Sequence, residues 1–147
     1  MEKKERYKLP IAVFMILKRG DDILIIKRAT TGLMDGFYSI PAGKLDDGEE
    51  ILPAAMRECK EEVGVDFNED DIKLVNVQHC QFNEQRWINF FFLTDKWSGE
   101  PKICEPHKHS EIKWVNLHSL PENFVPYVKK GLEDYDSHKM YSQFGWK

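Results

Sequence analysis

Three glutamates fall within five consecutive residues of RECKEEVG, the stretch from Arg57 to Gly64: Glu58, Glu61 and Glu62. Clustered carboxylates are the ligand set of hard divalent cations, magnesium above all. On a helix, residues three and four apart are neighbours, so all three side chains would share one face. Like charges at that spacing destabilise a helix by about 0.2–0.5 kcal/mol per pair. A cation held between them turns that repulsion into attraction. The alternative is a solvated acidic face whose charges lean on Lys60.

The elements that must position these residues are legible from pattern. A helix is expected from about Ile51 to Val63, stopped by Gly64 just past its end, with Pro53 in the first turn where a missing N–H matters least. Projected at about 100° per residue, Leu52, Met56, Cys59 and Val63 form a buried stripe. The glutamates cluster about a third of a turn away, with the small Ala54 and Ala55 beside them, leaving an acidic ledge with no bulk to block a ligand. Upstream, IAVFMIL (Ile11 to Leu17) and DILIIK (Asp22 to Lys27) flank the turn signal KRGD and read as paired strands. The stretch from Arg28 to Glu49 reads mostly as loop. Downstream, IKLVNVQHCQF and RWINFFFLT read as strands joined through NEQ, EIKWVNL as a further strand, and ENFVPYVKKGLEDY as a terminal helix. Strands and helices mixed in this way predict an α/β/α sandwich around a central mixed β-sheet.

Length and composition narrow the classes. At 147 residues the chain is expected to form one domain with a proper core. Its composition is 41% hydrophobic and 31% charged, which is ordinary for a globular protein, and the net charge of -4 argues against coating long nucleic acid. No apolar run approaches membrane-spanning length, and the charged N-terminus MEKKERYKLP has no apolar segment of a secretory signal behind it. Three cysteines, Cys59, Cys80 and Cys104, suit a reducing compartment, so a cytoplasmic location is expected.

The segment GKLDDGEEILPAAMRECKEEVGV, Gly43 to Val65, resembles the Nudix box: Gly, five residues, Glu, seven residues, then Arg-Glu-apolar-x-Glu-Glu-x-Gly-apolar. Gly43, Glu49, Arg57, Glu58, Glu61, Glu62 and Gly64 all match, with Cys59 and Val65 in the apolar places. At average residue usage such a match arises by chance in fewer than about one chain of this length in a million. SIPAGK before the box is similar to the Pro-x-Gly-Lys approach of MutT-type members, and WSGEPKICEP after it to their Trp-x-Gly-x-Pro loop. The likeness spans roughly Ile11 to Trp114; the last thirty or so residues match less specifically.

What the resemblance implies is a Nudix fold and a magnesium-dependent hydrolase, with manganese as a substitute ion, that cleaves a diphosphate linked to another moiety by attack of water on phosphorus. It makes Glu58, Glu61 and Glu62 metal ligands, with the backbone carbonyl of Ala42 as a further contact. Glu49 and Arg57 match the pair that braces loop against helix, Lys44 a lysine near the phosphates, and Arg28 an arginine that touches substrate, a plain surface arginine being the alternative. Glu105 in KICEP matches a loop glutamate that serves as metal ligand or general base; Glu61 competes for the base role. The expected substrate is a nucleotide, most simply a (deoxy)nucleoside triphosphate, oxidised or not, cleaved to the monophosphate and pyrophosphate. Nucleoside diphosphates, sugar nucleotides, capped RNA ends, or a binding module without turnover are the other readings.

Other residues carry weaker signals. Cys104, His107 and His109 crowd one loop, but their spacing fits no standard zinc set. RWINFFFL sends aromatics to both faces, as a fully buried strand does, and any of Trp87, Phe90 or Phe92 is a candidate for the base pocket. Ile40 stands where MutT-type members have an aromatic, so their base recognition does not transfer. Tyr141, Phe144 and Trp146 of the tail are read as stacking on a base, closing the core edge or making a dimer contact. The expected oligomeric state is monomer or homodimer.

Overall fold

The computed structural model describes residues 4–146; the first three residues of the charged N-terminal segment, and Lys147, lie outside it. In chain order the elements are β1 (Ile11–Arg19), β2 (Asp22–Arg28), β3 (Tyr38–Ser39), β4 (Ala42–Lys44), α1 (Ile51–Val63), β5 (Lys73–Phe82), β6 (Gln85–Thr94), β7 (His109–Asn116), α2 (Pro126–Asp136) and β8 (Tyr141–Phe144). A single 3₁₀ turn, Glu69–Asp71, precedes β5.

The sheet is mixed. β1 runs parallel to β6, from Ile11 against Ile88 to Leu17 against Thr94. β5 continues antiparallel beside β6, and β8 parallel beside β5. On the other side β1 meets β2 only at the hairpin, where Lys18 faces Ile23 and Arg19 faces Asp22. The two strands then part. The start of β1 is paired instead with β4, and β2 carries β7 along its length and β3 at its end.

Both faces are covered, which is why β1 and β2 are apolar without interruption. Val13, Met15, Leu17, Leu24 and Ile26 point to one side and pack with Ala54, Ala55, Cys59 and Val63 of α1. Phe14, Ile16, Ile23, Ile25 and Phe91 point to the other and pack with Val128 and Leu132 of α2. Burying side chains of this size contributes about 1.5–3 kcal/mol each. The expected α/β/α sandwich is the one observed. No helix among the described residues is long and apolar enough to cross a membrane.

Three expectations are corrected or completed here. The stretch from Arg28 to Glu49 contains two short strands, β3 and β4, too brief to show any alternation. On α1 the buried centre is Ala54, Ala55, Cys59 and Val63, with Leu52 and Met56 only partly buried at its flanks. The alanines are therefore not beside the ledge but under the helix, where their small side chains let it lie close to the sheet. The C-terminal tail forms β8 and closes the sheet edge: Phe144 packs edge-on against Tyr127, and the Trp146 ring lies 4.5 Å from that of His79.

Candidate active site

The last two turns of α1 deliver the glutamates. The helix ends where Gly64 takes a left-handed conformation (φ 78°) and its N–H closes on the Lys60 carbonyl at 2.9 Å. Two further carbonyls of that terminus, on Val63 and Glu62, accept from Lys102 N–H and Cys104 N–H, each at 3.0 Å. The loop carrying Glu105 is thus clamped to the end of the helix carrying Glu62. A tight turn follows, in which Lys108 N–H and His109 N–H both donate to the Glu105 carbonyl.

The shifted stripe on α1 tucks the ledge inward. Glu62 is only 8% exposed, and its Oε1 accepts from Ala42 N–H at 2.7 Å. Its Oε2 lies 3.3 Å from Nε2 of His109, itself 5% exposed. Glu58 lies over Gly43, where a Cβ would stand 2.0 Å from the Glu58 Cδ; only glycine leaves room for the carboxylate. Glu61 is the open one of the three, with half its side chain in solvent. Glu62, Glu105 and His109 each offer a ligand atom within 4.8 Å of the others.

One guanidinium answers most of this charge. Arg57 grips Glu49 in a fork, Nε to Oε2 at 2.6 Å and Nη2 to Oε1 at 3.0 Å. Its Nη1 lies 3.0 Å from Glu58 and 3.2 Å from Glu61, and Nη2 reaches Asp46 at 3.4 Å. Lys60 instead pairs with Asp66 and turns away from the ledge. The hydrogen bonds from Arg57 hold the Glu49 carboxyl below its ordinary range. Burial pushes Glu58 the other way, upward, helped by Glu62 and Glu61 and opposed by Arg57. Burial likewise raises Glu62, against the hydrogen bonds from His109 and Ala42 N–H. A buried and a half-buried carboxylate that resist ionisation are what a cation would relieve, and the oxygen donors fit a hard divalent ion.

Arg57→Ala should therefore lower Tm by several degrees together with the rate, because it frees the loop at Glu49 from the helix. The depressed Glu49 carboxyl contributes stability that is present above the ordinary carboxylate value of about 4.3 and lost as pH falls through its folded value. The Tm gap between wild type and variant is thus expected to shrink toward pH 3. A constant gap would mean that the Glu49 carboxyl does not carry the lost stability, and a rate loss at unchanged Tm would show that Arg57 acts on the reaction directly.

Among the other expected residues, Ala42 reaches the site through its amide. Glu105 stands with the cluster and is 3.4 Å from Lys108 Nζ. Lys44 is exposed and makes no ion pair among the described residues. Arg28 is committed to its own loop, donating to the Leu33 carbonyl at 2.8 Å and the Thr31 hydroxyl at 3.3 Å. Trp87 packs edge-on with Tyr127 on the α2 face, while Phe90 and Phe92 join the α1 cluster. Cys104 is exposed and the three cysteines are free. The residue that pattern reading did not bring to the carboxylates is His109. A bulge shifts the β2–β7 register between Lys27 and Arg28, so that Arg28 faces His109 and Ser110 is skipped. Strict alternation from Ile112 puts His109 on the wrong face; the bulge re-aims it.

Comparison with known proteins identifies the family. The NUDIX domain model matches residues 8–135. The 8-oxo-dGTP diphosphatase of Escherichia coli (strain K12) is 30% identical over 125 residues, covering 84% of this chain and 95% of that protein. The RNA pyrophosphohydrolase of Wolbachia pipientis subsp. Culex pipiens (strain wPip) is 27% identical over 158 residues, covering 93% and 94%. The crystal structure of a MutT NUDIX hydrolase from Burkholderia pseudomallei superposes with a TM-score of 0.79 at 28% identity, over 86% of this chain and 98% of that one.

Proposed function

We propose a substrate from one premise: this chain belongs to the Nudix family, as a MutT-like pyrophosphohydrolase. The reaction we assign is hydrolysis of a (deoxy)nucleoside triphosphate, oxidised or unmodified, to the nucleoside monophosphate and pyrophosphate. The observation that carries it is the buried Glu62, joined by Glu105 and His109 within 4.8 Å at the end of an otherwise carboxylate-rich helix. Its support on the substrate side is the similarity to an 8-oxo-dGTP diphosphatase over nearly that protein's whole length.

In this reading Glu58, Glu61, Glu62, Glu105 and the Ala42 carbonyl would hold magnesium or manganese. Bound there, the ion would neutralise phosphate charge and polarise phosphorus toward attack. Arg57 keeps Glu58 and Glu61 apart from full mutual repulsion and ties the loop of Glu49 to the helix. Lys44, exposed and without an ion pair among the described residues, would meet a phosphate, and the attacking water would give its proton to Glu61 or Glu105 as general base. Arg28 meets substrate only if its loop contacts are released, which makes it the weakest member of the set.

A phosphate-release screen with added pyrophosphatase tests the assignment. With magnesium present, the panel spans nucleoside di- and triphosphates, 8-oxo-dGTP and a 5′-triphosphorylated RNA oligonucleotide, with sugar nucleotides read in parallel wells carrying alkaline phosphatase, which frees phosphate from the two monoesters they would give. Triphosphates are expected to be turned over best, with signal dependent on the added pyrophosphatase. The similarity to an RNA pyrophosphohydrolase makes the RNA the second reading, and a dominant signal from it would replace the first. No turnover of any member would leave a nucleotide-binding module.

A further inference from the structure

On the reading of Glu62 as a cation ligand, something must hold its carboxylate in one orientation inside the protein. Oε1 is held by Ala42 N–H of β4 at 2.7 Å. Oε2 faces His109 of β7, with Nε2 at 3.3 Å. The other ring nitrogen, Nδ1, is buried and meets no hydrogen-bonding partner among the described residues. That orphan decides the role of the ring.

A neutral imidazole carries one N–H, and its place is set by the hydrogen bonds on offer. With the hydrogen on Nδ1, a buried donor is left without an acceptor, and Nε2 presents a lone pair to an anionic oxygen. With it on Nε2, the ring donates to Glu62, and the orphan is an acceptor, the more tolerable of the two. A ring that ligates an ion through Nε2 needs the first arrangement, and ligating histidines almost always find a partner for the remaining N–H. Here there is none. The bulge that seats His109 opposite Arg28, and the bond from its N–H to the Glu105 carbonyl, fix the ring from the backbone side.

We infer that His109 is a positioning residue: its Nε2–H fixes the Glu62 carboxylate for cation binding, and the ring is not itself a ligand of the ion. The closeness of His109 to Glu62 and Glu105 then reflects a hydrogen-bonded scaffold behind the oxygen ligands. Two donors from two different strands set the plane of one carboxylate, leaving its remaining lone pairs for the ion.

Mn(II) binding to the purified chain, followed by electron paramagnetic resonance without nucleotide, tests this. His109→Leu is expected to weaken binding about tenfold. His109→Gln, whose amide nitrogen reaches the place of Nε2, should stay within about twofold of wild type, and His109→Asn, whose amide falls at the place of Nδ1, should behave like the leucine variant. The spin-echo spectrum of the Mn(II)-loaded wild type should lack the modulation of a directly coordinated imidazole nitrogen. Such modulation, lost in His109→Leu, would overturn positioning in favour of ligation. Wild-type affinity in both His109→Leu and His109→Asn would also overturn it, while leaving the metal site intact. A wild-type chain that binds no Mn(II) at all would overturn the metal reading itself. If the leucine variant does not fold, the glutamine and asparagine variants and the wild-type spectrum decide.

Discussion

Glu62→Gln is expected to lose at least about a hundredfold in kcat while remaining folded, because a neutral amide is a poor ligand for a hard cation. Its stability should show the same burial in reverse. Burial holds the Glu62 carboxyl above its ordinary range, so the folded state binds that proton more tightly than the unfolded chain does. The wild type therefore carries no penalty from this group below an ordinary carboxylate value of about 4.3, and a growing one as pH rises toward the folded value. Glutamine does not titrate. Whatever offset the amide introduces by meeting the His109 N–H, the difference in Tm should move in the variant's favour between pH 4 and pH 7 in metal-free buffer. Added magnesium should move the difference back toward the wild type, since saturation at a hundred times Kd stabilises it by about 2.7 kcal/mol and stabilises the more weakly binding variant less. Normal turnover, or melting curves that keep a constant offset across this range, would remove Glu62 from the site.

Gly43→Ala should damage the same site from the strand side. The new Cβ would lie 2.0 Å from Cδ and 2.3 Å from Cγ of Glu58, so the carboxylate must leave its place. The backbone of β4 needs no unusual conformation here, and the displaced side chain is flexible and relieved of part of its burial. Metal affinity and kcat are expected to fall about ten- to a hundredfold, with Tm changed by only a few degrees. Mn(II) titration beside a melting curve reads both; wild-type affinity for the ion would mean that Glu58 contributes nothing to holding it. The contrast with Arg57→Ala is diagnostic, since there rate and melting should fall together.

The parts of this fold that announce themselves in sequence are those whose physics is local. Helix α1 runs over the expected residues, because Gly64 supplies the left-handed cap and Pro53 sits where a first turn tolerates it. The strands β1, β2, β5 and β6 were legible as apolar runs between turn residues. What escaped depends on partners far along the chain. β3 and β4 are strands only because β2 and β1 pair with them, and β8 only because β5 does. The three glutamates were visible as a face, yet their depth was not. Helical projection ranked large side chains as the buried stripe, whereas the fit to the sheet selected Ala54 and Ala55 and drew Glu62 under the helix. Lys60 was a plausible counter-charge by spacing, but Asp66 beyond the helix claims it. His109 was weighed only beside Cys104 and His107, and no periodicity would have moved it across the sheet; a one-residue bulge did.

The parallel register of β1 against β6 also imposes an order on biosynthesis. Ile11 pairs with Ile88, 77 positions further along the chain. At translation rates of about 5–20 residues per second, that partner arrives roughly 4–15 s after β1 has left the ribosome. Until then Val13–Leu17, apolar toward both faces, has only the two-pair hairpin with β2 and the three residues of β4 along its edges. Glu105 and His109 come later still. A nascent chain stalled before β6 thus exposes an adhesive strand while it still lacks Glu105 and His109 of the candidate metal site.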